Sequence, residues 1–220
     1  MKTILENWKK YMLSEKLMLK PGPNGWDKYC ELVAEAYKRA PLYEEGAVPS
    51  FRAMKPFIDK MFTRIQGVVD IQFVEEHPYK SADELRRDVR KTGIMKISTL
   101  DQDLPHDIYD EETNVKFRAV HDFMAHVQRR TEFDAKGEIA SYNAHIQTMP
   151  LESHPALFTE VVGQACTFVV TGAFPVQKIA ILKEFDFRSV GVVEGYEIVN
   201  KELVKKGDEP RENEDERNAE

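Results

Sequence analysis

Apolar residues recur every three or four positions over most of this chain, the spacing that places them on one face of a helix. Residues 26–40 and 51–65 each place their large apolar side chains on one stripe. With its proline and glycine boundaries, the same pattern predicts later helices at residues 111–129, 137–147, 155–172, 175–184 and 190–205. The sequence therefore predicts a mainly α fold, although Gly191 and Gly195 are unfavourable inside the last helix.

Two short segments carry the pattern of β-strands. Residues 67–74 are rich in β-branched side chains, and residues 94–99 alternate after a glycine. Between them, Ser81 and Glu84 have the spacing of a capping box, which opens a short helix that ends near Gly93. We therefore expect a small two-stranded β element beside the helices.

The composition fits a single-domain helical bundle formed by residues 25–205. The chain has 220 residues, of which 42% are hydrophobic, and this is enough for one substantial core. Residues 1–20 predict a separate amphipathic helix, followed by a break rich in proline and glycine at residues 20–25. Residues 206–220 contain no large apolar side chain, so we expect a disordered acidic tail.

Charge and cysteine usage narrow the classes of function. The net charge is −7, and residues 208–220 contribute −5 of it because they hold seven acids and two arginines. The rest of the chain has a net charge of about −2, so we expect no basic surface for nucleic acid. No segment is long and apolar enough to cross a membrane. Cys30 and Cys166 lack the spacing of a disulfide framework, so we expect reduced thiols and a cytoplasmic protein.

The residues best suited to chemistry lie between positions 117 and 164. Three predicted helices carry, in order, a His-Asp-x-x-x-His motif, a Glu-x-x-x-Tyr-x-x-His motif and a Glu-x-x-x-Gln motif. Two imidazoles and a later carboxylate are the smallest ligand set of a facial iron site, which leaves positions open for water, oxygen or substrate. The candidate residues are His121, Asp122, His126, Glu138, Tyr142, His145, Glu160 and Gln164.

Helical geometry leaves two interpretations of this polar group open. His121 and His126 are about 140° apart on an ideal helix, so a shared metal requires different side-chain reaches, a distorted turn or a metal over the shoulder of the helix. Ionisable groups that are buried without partners cost several kcal/mol each. These side chains must therefore satisfy one another in a hydrogen-bonded network, or bind a metal or a substrate.

The motifs resemble those of a family of uncharacterised proteins from tailed bacteriophages. That family's pattern is FRAVHDxxGH, GExxAWxxH and TExxGQ, and the similarity extends over roughly residues 50–185. Ala125 stands where the family has glycine, and Tyr142 stands where it has tryptophan. The resemblance implies a phage protein in the cytoplasm of the infected host, without a particular reaction.

The motifs are also similar to the iron site of the aromatic amino acid hydroxylases, a mainly helical family. Carried over residue by residue, His121, His126 and Glu160 match the facial triad, and that family has the same five-residue spacing between its two histidines. The pterin-binding and substrate-arginine segments of that family are not recognisable in this chain. The resemblance implies Fe(II) as the metal and an oxygenase-like activity.

The first hypothesis from these observations is a phage-encoded mononuclear non-haem Fe(II) oxygenase-like enzyme. In this hypothesis Glu138 and His145 orient the ligands, transfer protons or act as alternative ligands. Asp122 and Gln164 hold their neighbours by hydrogen bonds, and Tyr142 shares the stripe of Glu138 and His145. The expected substrate is a small molecule or a modified residue, with neither nucleic acid nor a membrane as a partner.

Two other hypotheses use the same residues differently. In a zinc or manganese hydrolase, His145 would add a ligand and Glu138 would activate a bound water. In a phage structural or host-interaction protein without enzymatic activity, the polar residues would form a satisfied network. Such a protein would contact its partners through the acidic tail and the N-terminal helix.

Overall fold

The structure is a computed structural model that describes residues 25–100, 107–193, 195–199 and 202–206. The predicted N-terminal helix and the acidic tail beyond residue 206 lie outside the described residues. The α-helices are α1 (Gly25–Arg39), α2 (Val48–Gln66), α3 (Ala82–Thr92), α4 (Glu111–His121), α5 (Ala135–His145), α6 (His154–Leu157) and α7 (Gln164–Thr171). The strands are β1 (Asp70–Val74), β2 (Ile94–Ser98), β3 (Tyr196–Val199) and β4 (Glu202–Lys205).

Two π-helical segments interrupt the regular helices. Asp122–Gln128 continues α4, and Phe158–Gly163 joins α6 to α7. Short 3-10 turns precede α2, α4 and α6. The predicted mainly α fold with a small β element is confirmed, and the predicted helices at 111–129 and 155–172 each combine α-helical and π-helical turns.

The first β element is a parallel pair with a helix between its strands. β1 and β2 pair in register from Asp70 beside Ile94, and α3 connects them. The hydroxyl of Ser81 accepts the backbone N–H of Glu84 at 3.3 Å, which caps the start of α3. Gly93 ends the helix at φ 73°, a conformation that favours glycine. The predicted cap, short helix and two strands are therefore confirmed.

The predicted helix at residues 175–184 is wrong. This segment is extended, and Ile179 forms a parallel bridge with Tyr43. The backbone N–H of Ile179 donates to Leu42 at 2.9 Å, and the N–H of Glu44 donates to Ile179 at 2.7 Å. A short apolar run fits a buried extended segment as well as a helix, and here a neighbouring backbone supplies the hydrogen bonds.

The predicted helix at residues 190–205 is also wrong. β3 and β4 form an antiparallel pair in which Tyr196 lies opposite Lys205. Gly195, directly before β3, has φ 99°, which is incompatible with an α-helix. Just upstream, Val192 forms an antiparallel bridge with Phe185. The glycine that weakened this helix in the sequence thus marks the start of a hairpin.

One apolar core joins the helices around the residues that carry the polar motifs. α1 packs along α7, and α2 packs along α4. Gly163 lies against the ring of Tyr37, where an added Cβ would be only 2.8 Å from a ring carbon. This close approach holds the second π-helical segment against α1. Among the described helices, none has both the length and the apolar composition needed to span a membrane.

Candidate metal site

Three potential metal ligands converge where the first π-helical segment meets α5. The Nε2 atoms of His121 and His126 lie 3.0 Å apart. The carboxylate oxygens of Glu138 lie 3.1 Å from Nε2 of His121 and 3.3 Å from Nε2 of His126. One ligand atom from each residue lies within 4.8 Å of the other two. Two imidazoles and one carboxylate form the ligand set of a facial 2-His-1-carboxylate site.

The π-helical segment explains how His121 and His126 share a site. Its backbone hydrogen bonds span five residues, as between the N–H of Arg129 and the carbonyl of Met124 at 3.3 Å. Side chains five positions apart therefore lie on nearly the same face, instead of about 140° apart as on an ideal α-helix. Of the three geometric solutions that the sequence left open, the distorted turn is the one that the structure contains. π-Helical turns are rare in proteins, and those that do occur are often found at functional sites.

The second ring nitrogen of each histidine has its own partner. Nδ1 of His126 lies 3.1 Å from both the backbone oxygen and the hydroxyl oxygen of Thr131. Nδ1 of His121 lies 3.3 Å from Nε2 of His145. Metal-binding histidines usually donate their other N–H to such an acceptor, which fixes the tautomer and the orientation of the ring. With both protons on Nδ1, the two Nε2 atoms are free to coordinate.

The charges in the site follow from burial and from the attraction between its members. Burial raises the pKa of Glu138, but the two histidines outweigh this effect and lower the pKa to about 2. Burial, followed by the neighbouring His121, lowers the pKa of His145 to about 3. Burial also lowers the pKa of His126, yet Glu138 and Asp122 outweigh it, so the net shift is upward. Near pH 7 Glu138 is thus ionised, as a carboxylate ligand must be. His145 is neutral, so its Nε2 can accept a hydrogen bond.

Gly137 allows Glu138 to approach the histidines. The side chain of Asp134 caps α5 by accepting the backbone N–H of Gly137 at 2.7 Å. A Cβ on residue 137 would lie 2.0 Å from the backbone oxygen of Glu132, an atom that cannot rotate away as a side chain can. The first turn of α5 therefore packs against the preceding loop only because residue 137 has no side chain.

We expect Gly137→Ala to destabilise the protein by roughly 1–3 kcal/mol, because the added methyl group must push the backbone at Glu132 away. Gly46→Ala is a matched control, since the nearest atom to its added Cβ is 3.9 Å away at the end of a side chain. Urea denaturation of both variants measures the difference. Equal stability of the two variants would contradict the close packing at the start of α5.

Glu160, the carboxylate of the predicted triad, is not grouped with the histidines. Its Oε2 accepts hydrogen bonds from the side-chain amides of Gln164 at 2.9 Å and Gln177 at 2.6 Å. Burial raises its pKa to about 8, although both amides oppose the shift. In the described part of the chain, the carboxylate that is grouped with His121 and His126 is that of Glu138, in place of Glu160 in the predicted triad.

The remaining predicted residues take different places. Asp122 and Gln164 both line the cavity beside the metal ligands, and burial raises the pKa of Asp122. His145 is buried and contacts His121. Tyr142 is fully buried, and its hydroxyl donates to the backbone oxygen of Phe187, so this side chain belongs to the core.

A cavity of about 740 Å³ contains both the three potential metal ligands and Glu160 in its wall. Its volume lies within the range of small-molecule sites. The charged residues of the wall are Lys80, Lys96, Arg118, Asp122, Asp134, Glu138 and Glu160. Apolar side chains complete it, among them the exposed rings of Phe168 and Phe174, which stack with their centroids 4.6 Å apart. The arrangement can hold a metal ion next to a partly apolar ligand.

Two supporting residues were missed by the sequence analysis. Arg86 is buried, and its guanidinium donates to the backbone oxygens of His126 and Thr131, which holds the end of the π-helical segment. Gln177, which donates to Glu160, lies in the segment wrongly predicted as a helix. Neither residue carries a local sequence signal, because both contacts join distant parts of the chain.

Comparisons of this chain with protein families, with curated proteins and with solved structures found no match. The function must therefore be argued from the geometry and chemistry of the site itself.

Proposed function

We propose that the protein is a metal-dependent enzyme whose metal is held by Nε2 of His121, Nε2 of His126 and the carboxylate of Glu138. The observation that carries the proposal is the convergence of these three groups within 4.8 Å. Because the Nδ1 atoms have acceptors in Thr131 and His145, all three groups can offer a lone pair to one cation, and they lie 3.0–3.3 Å from one another. A bound cation would take the place of the proton that they otherwise share.

We propose Fe(II) as the metal and an oxygenase-like oxidation of a small molecule as the reaction. Two histidines and one carboxylate with further positions open are the ligand set of non-haem Fe(II) oxygenases. Bound Fe(II) would supply the activation of dioxygen. The chain's own residues would orient the ligands through Thr131 and His145, and the cavity would hold the substrate beside them.

A zinc or manganese hydrolase is the second candidate, and Glu160 is the observation that favours it. Two histidines and a glutamate also bind the zinc of hydrolases. A carboxyl whose pKa is raised to about 8 in the same cavity is able to give or take a proton near neutral pH. In this version Glu160 replaces Glu138 as the group that activates a bound water, because Glu138 serves as a ligand.

A phage protein with a purely structural polar network is the third candidate. It is favoured by the distances of Glu138 from both histidines, which fit hydrogen bonds as well as a shared metal. A proton on Nε2 of His126 would then satisfy Glu138, in agreement with the raised pKa of that histidine. Such a protein would bind no metal, and a chelator would leave its melting temperature unchanged.

Elemental analysis of protein purified anaerobically without an affinity tag separates the three candidates. We expect about one iron per chain, and at least about tenfold less metal in His126→Ala, because that variant removes a ligand. His77→Ala is the control, since this exposed histidine lines the same cavity outside the ligand group. Zinc without dioxygen consumption would favour the hydrolase. Equal metal contents of the two variants would contradict the assigned ligands.

A further inference from the structure

Three buried polar atoms around Glu160 have no hydrogen-bond partner among the described residues. They are Oε1 of Glu160, Oε1 of Gln177 and the hydroxyl of Tyr109. Glu160, Gln177 and Tyr109 are only 6%, 7% and 1% exposed, and burial followed by the neighbouring Glu160 raises the pKa of Tyr109. A buried polar atom without a partner is costly and rare. Three of them in one region indicate a partner that the described residues do not provide.

The free atoms at Glu160 are mainly acceptors. The NH₂ groups of Gln164 and Gln177 both donate to Oε2 of Glu160, which leaves the amide oxygens of these residues for other contacts. When Glu160 is ionised, its Oε1 adds a third acceptor oxygen to these two. Glu160 and Gln164 line the cavity that holds the metal ligands. A partner rich in donors therefore suits these atoms, and the cavity leads to Glu160 and Gln164.

We propose that Glu160, Gln164 and Gln177 form a subsite for the ammonium group of a ligand that carries a primary amine on an apolar chain. An ammonium group has three N–H donors and no acceptor, which matches three acceptor oxygens. Its positive charge would also favour the ionised form of the buried carboxyl of Glu160. A carboxylate or phosphate would instead face these acceptor oxygens with acceptors of its own.

The apolar part of the cavity agrees with a ligand that carries an apolar chain. Phe168, Val169 and Phe174 line it with exposed apolar surface, next to the turn of helix that follows Glu160 and Gln164. The guanidinium of Arg118 is held by the backbone oxygens of Ser98 and Leu100 at 3.2 and 2.5 Å. That the amine is the enzyme's substrate rests on the proposed function, but binding at this subsite does not require the metal.

Calorimetric titration of hexylammonium, 1-hexanol and hexanoate into metal-free protein tests the subsite, since the three probes share one chain length. We expect hexylammonium to bind at least about tenfold more tightly than the other two. We expect Glu160→Gln to weaken this binding about tenfold or more. Glu152→Gln should not change it, because this glutamate is exposed and lies outside the cavity. A fourth probe, Nα-acetyl-lysine N-methylamide, tests whether the amine belongs to a peptide lysine or to a free small molecule. Tighter binding than hexylammonium indicates a peptide lysine, and weaker binding indicates a free amine.

Two further variants keep the test independent of folding and of the metal. Phe174→Ala changes an exposed side chain and should weaken hexylammonium but not methylammonium. His126→Ala should lose the metal yet keep hexylammonium binding, so failure of the metal assignment and failure of the subsite give different results. The subsite is overturned if hexanol or hexanoate binds as tightly as hexylammonium, or if Glu160→Gln binds hexylammonium with unchanged affinity. It is also overturned if none of the probes binds, which is the result expected when ordered water satisfies these atoms.

Discussion

We expect Glu138→Gln to lose the metal and Glu160→Gln to keep it. The two substitutions are chemically identical, so each controls for the other. Replacing Glu138 with glutamine removes the negative charge beside the two histidines and the carboxylate ligand itself. The metal affinity should fall at least about 100-fold, because residues that merely support ligands already contribute 10–100-fold. Glu160 contacts two glutamine amides instead, so its charge is not needed to bind the metal.

Titration of each metal-free variant with Fe(II) under anaerobic conditions, and with Zn²⁺, measures the two affinities. Thermal unfolding of both variants without metal shows whether a difference comes from binding or from folding. A loss of metal in Glu160→Gln together with normal binding in Glu138→Gln would contradict the assignment. That outcome would support the triad implied by the resemblance to the aromatic amino acid hydroxylases.

We expect the carboxyl of Glu160 to make the metal-free protein less stable as the pH rises from about 5 to about 8, and Glu160→Gln to remove this contribution. The pKa of Glu160 rises from 4.5 to about 8 because the side chain is buried. The folded state therefore holds this proton more tightly than the unfolded state does. Stability from this group is fully present below about pH 4.5 and is lost as the pH rises through about 8. A shift of this size corresponds to roughly 3–5 kcal/mol.

Urea denaturation of the wild type and of Glu160→Gln at about pH 5 and about pH 8 measures the effect. The variant should be more stable than the wild type by roughly 2–4 kcal/mol at the higher pH and nearly equal to it at the lower pH. The raised pKa of His126 and the lowered pKa of His145 also make stability depend on pH, but these contributions are common to both proteins and cancel in the comparison. An unchanged pH dependence in the variant would show that the carboxyl of Glu160 is not held protonated.

Local signals explain why the helices of the site were predictable from the sequence. Asp110 and Asp134 cap α4 and α5 by accepting the backbone N–H three residues later, at 2.8 and 2.7 Å. Gly172 ends α7 at φ 77°. These residues act within one turn of the chain. The sequence therefore predicted the helices that carry His121, His126, Glu138 and Glu160.

The arrangement of the ligands depends on contacts that no local pattern records. The π-helical segment after His121 is held by Arg86, 40 positions before His126 in the chain. The sequence named Glu138 as an alternative ligand, but the choice between it and Glu160 depends on Gln177 and on the close packing at Gly137. Spacing alone could therefore select the residues of the site without assigning their roles.

Diffraction from a crystal of the metal-loaded protein, recorded at the absorption edge of the metal, tests the central claim most directly. The account predicts one anomalous peak at about 2.0–2.3 Å from Nε2 of His121, Nε2 of His126 and a carboxylate oxygen of Glu138. A peak bonded to Glu160 instead of Glu138, or a fully loaded crystal without a peak at these histidines, would contradict it.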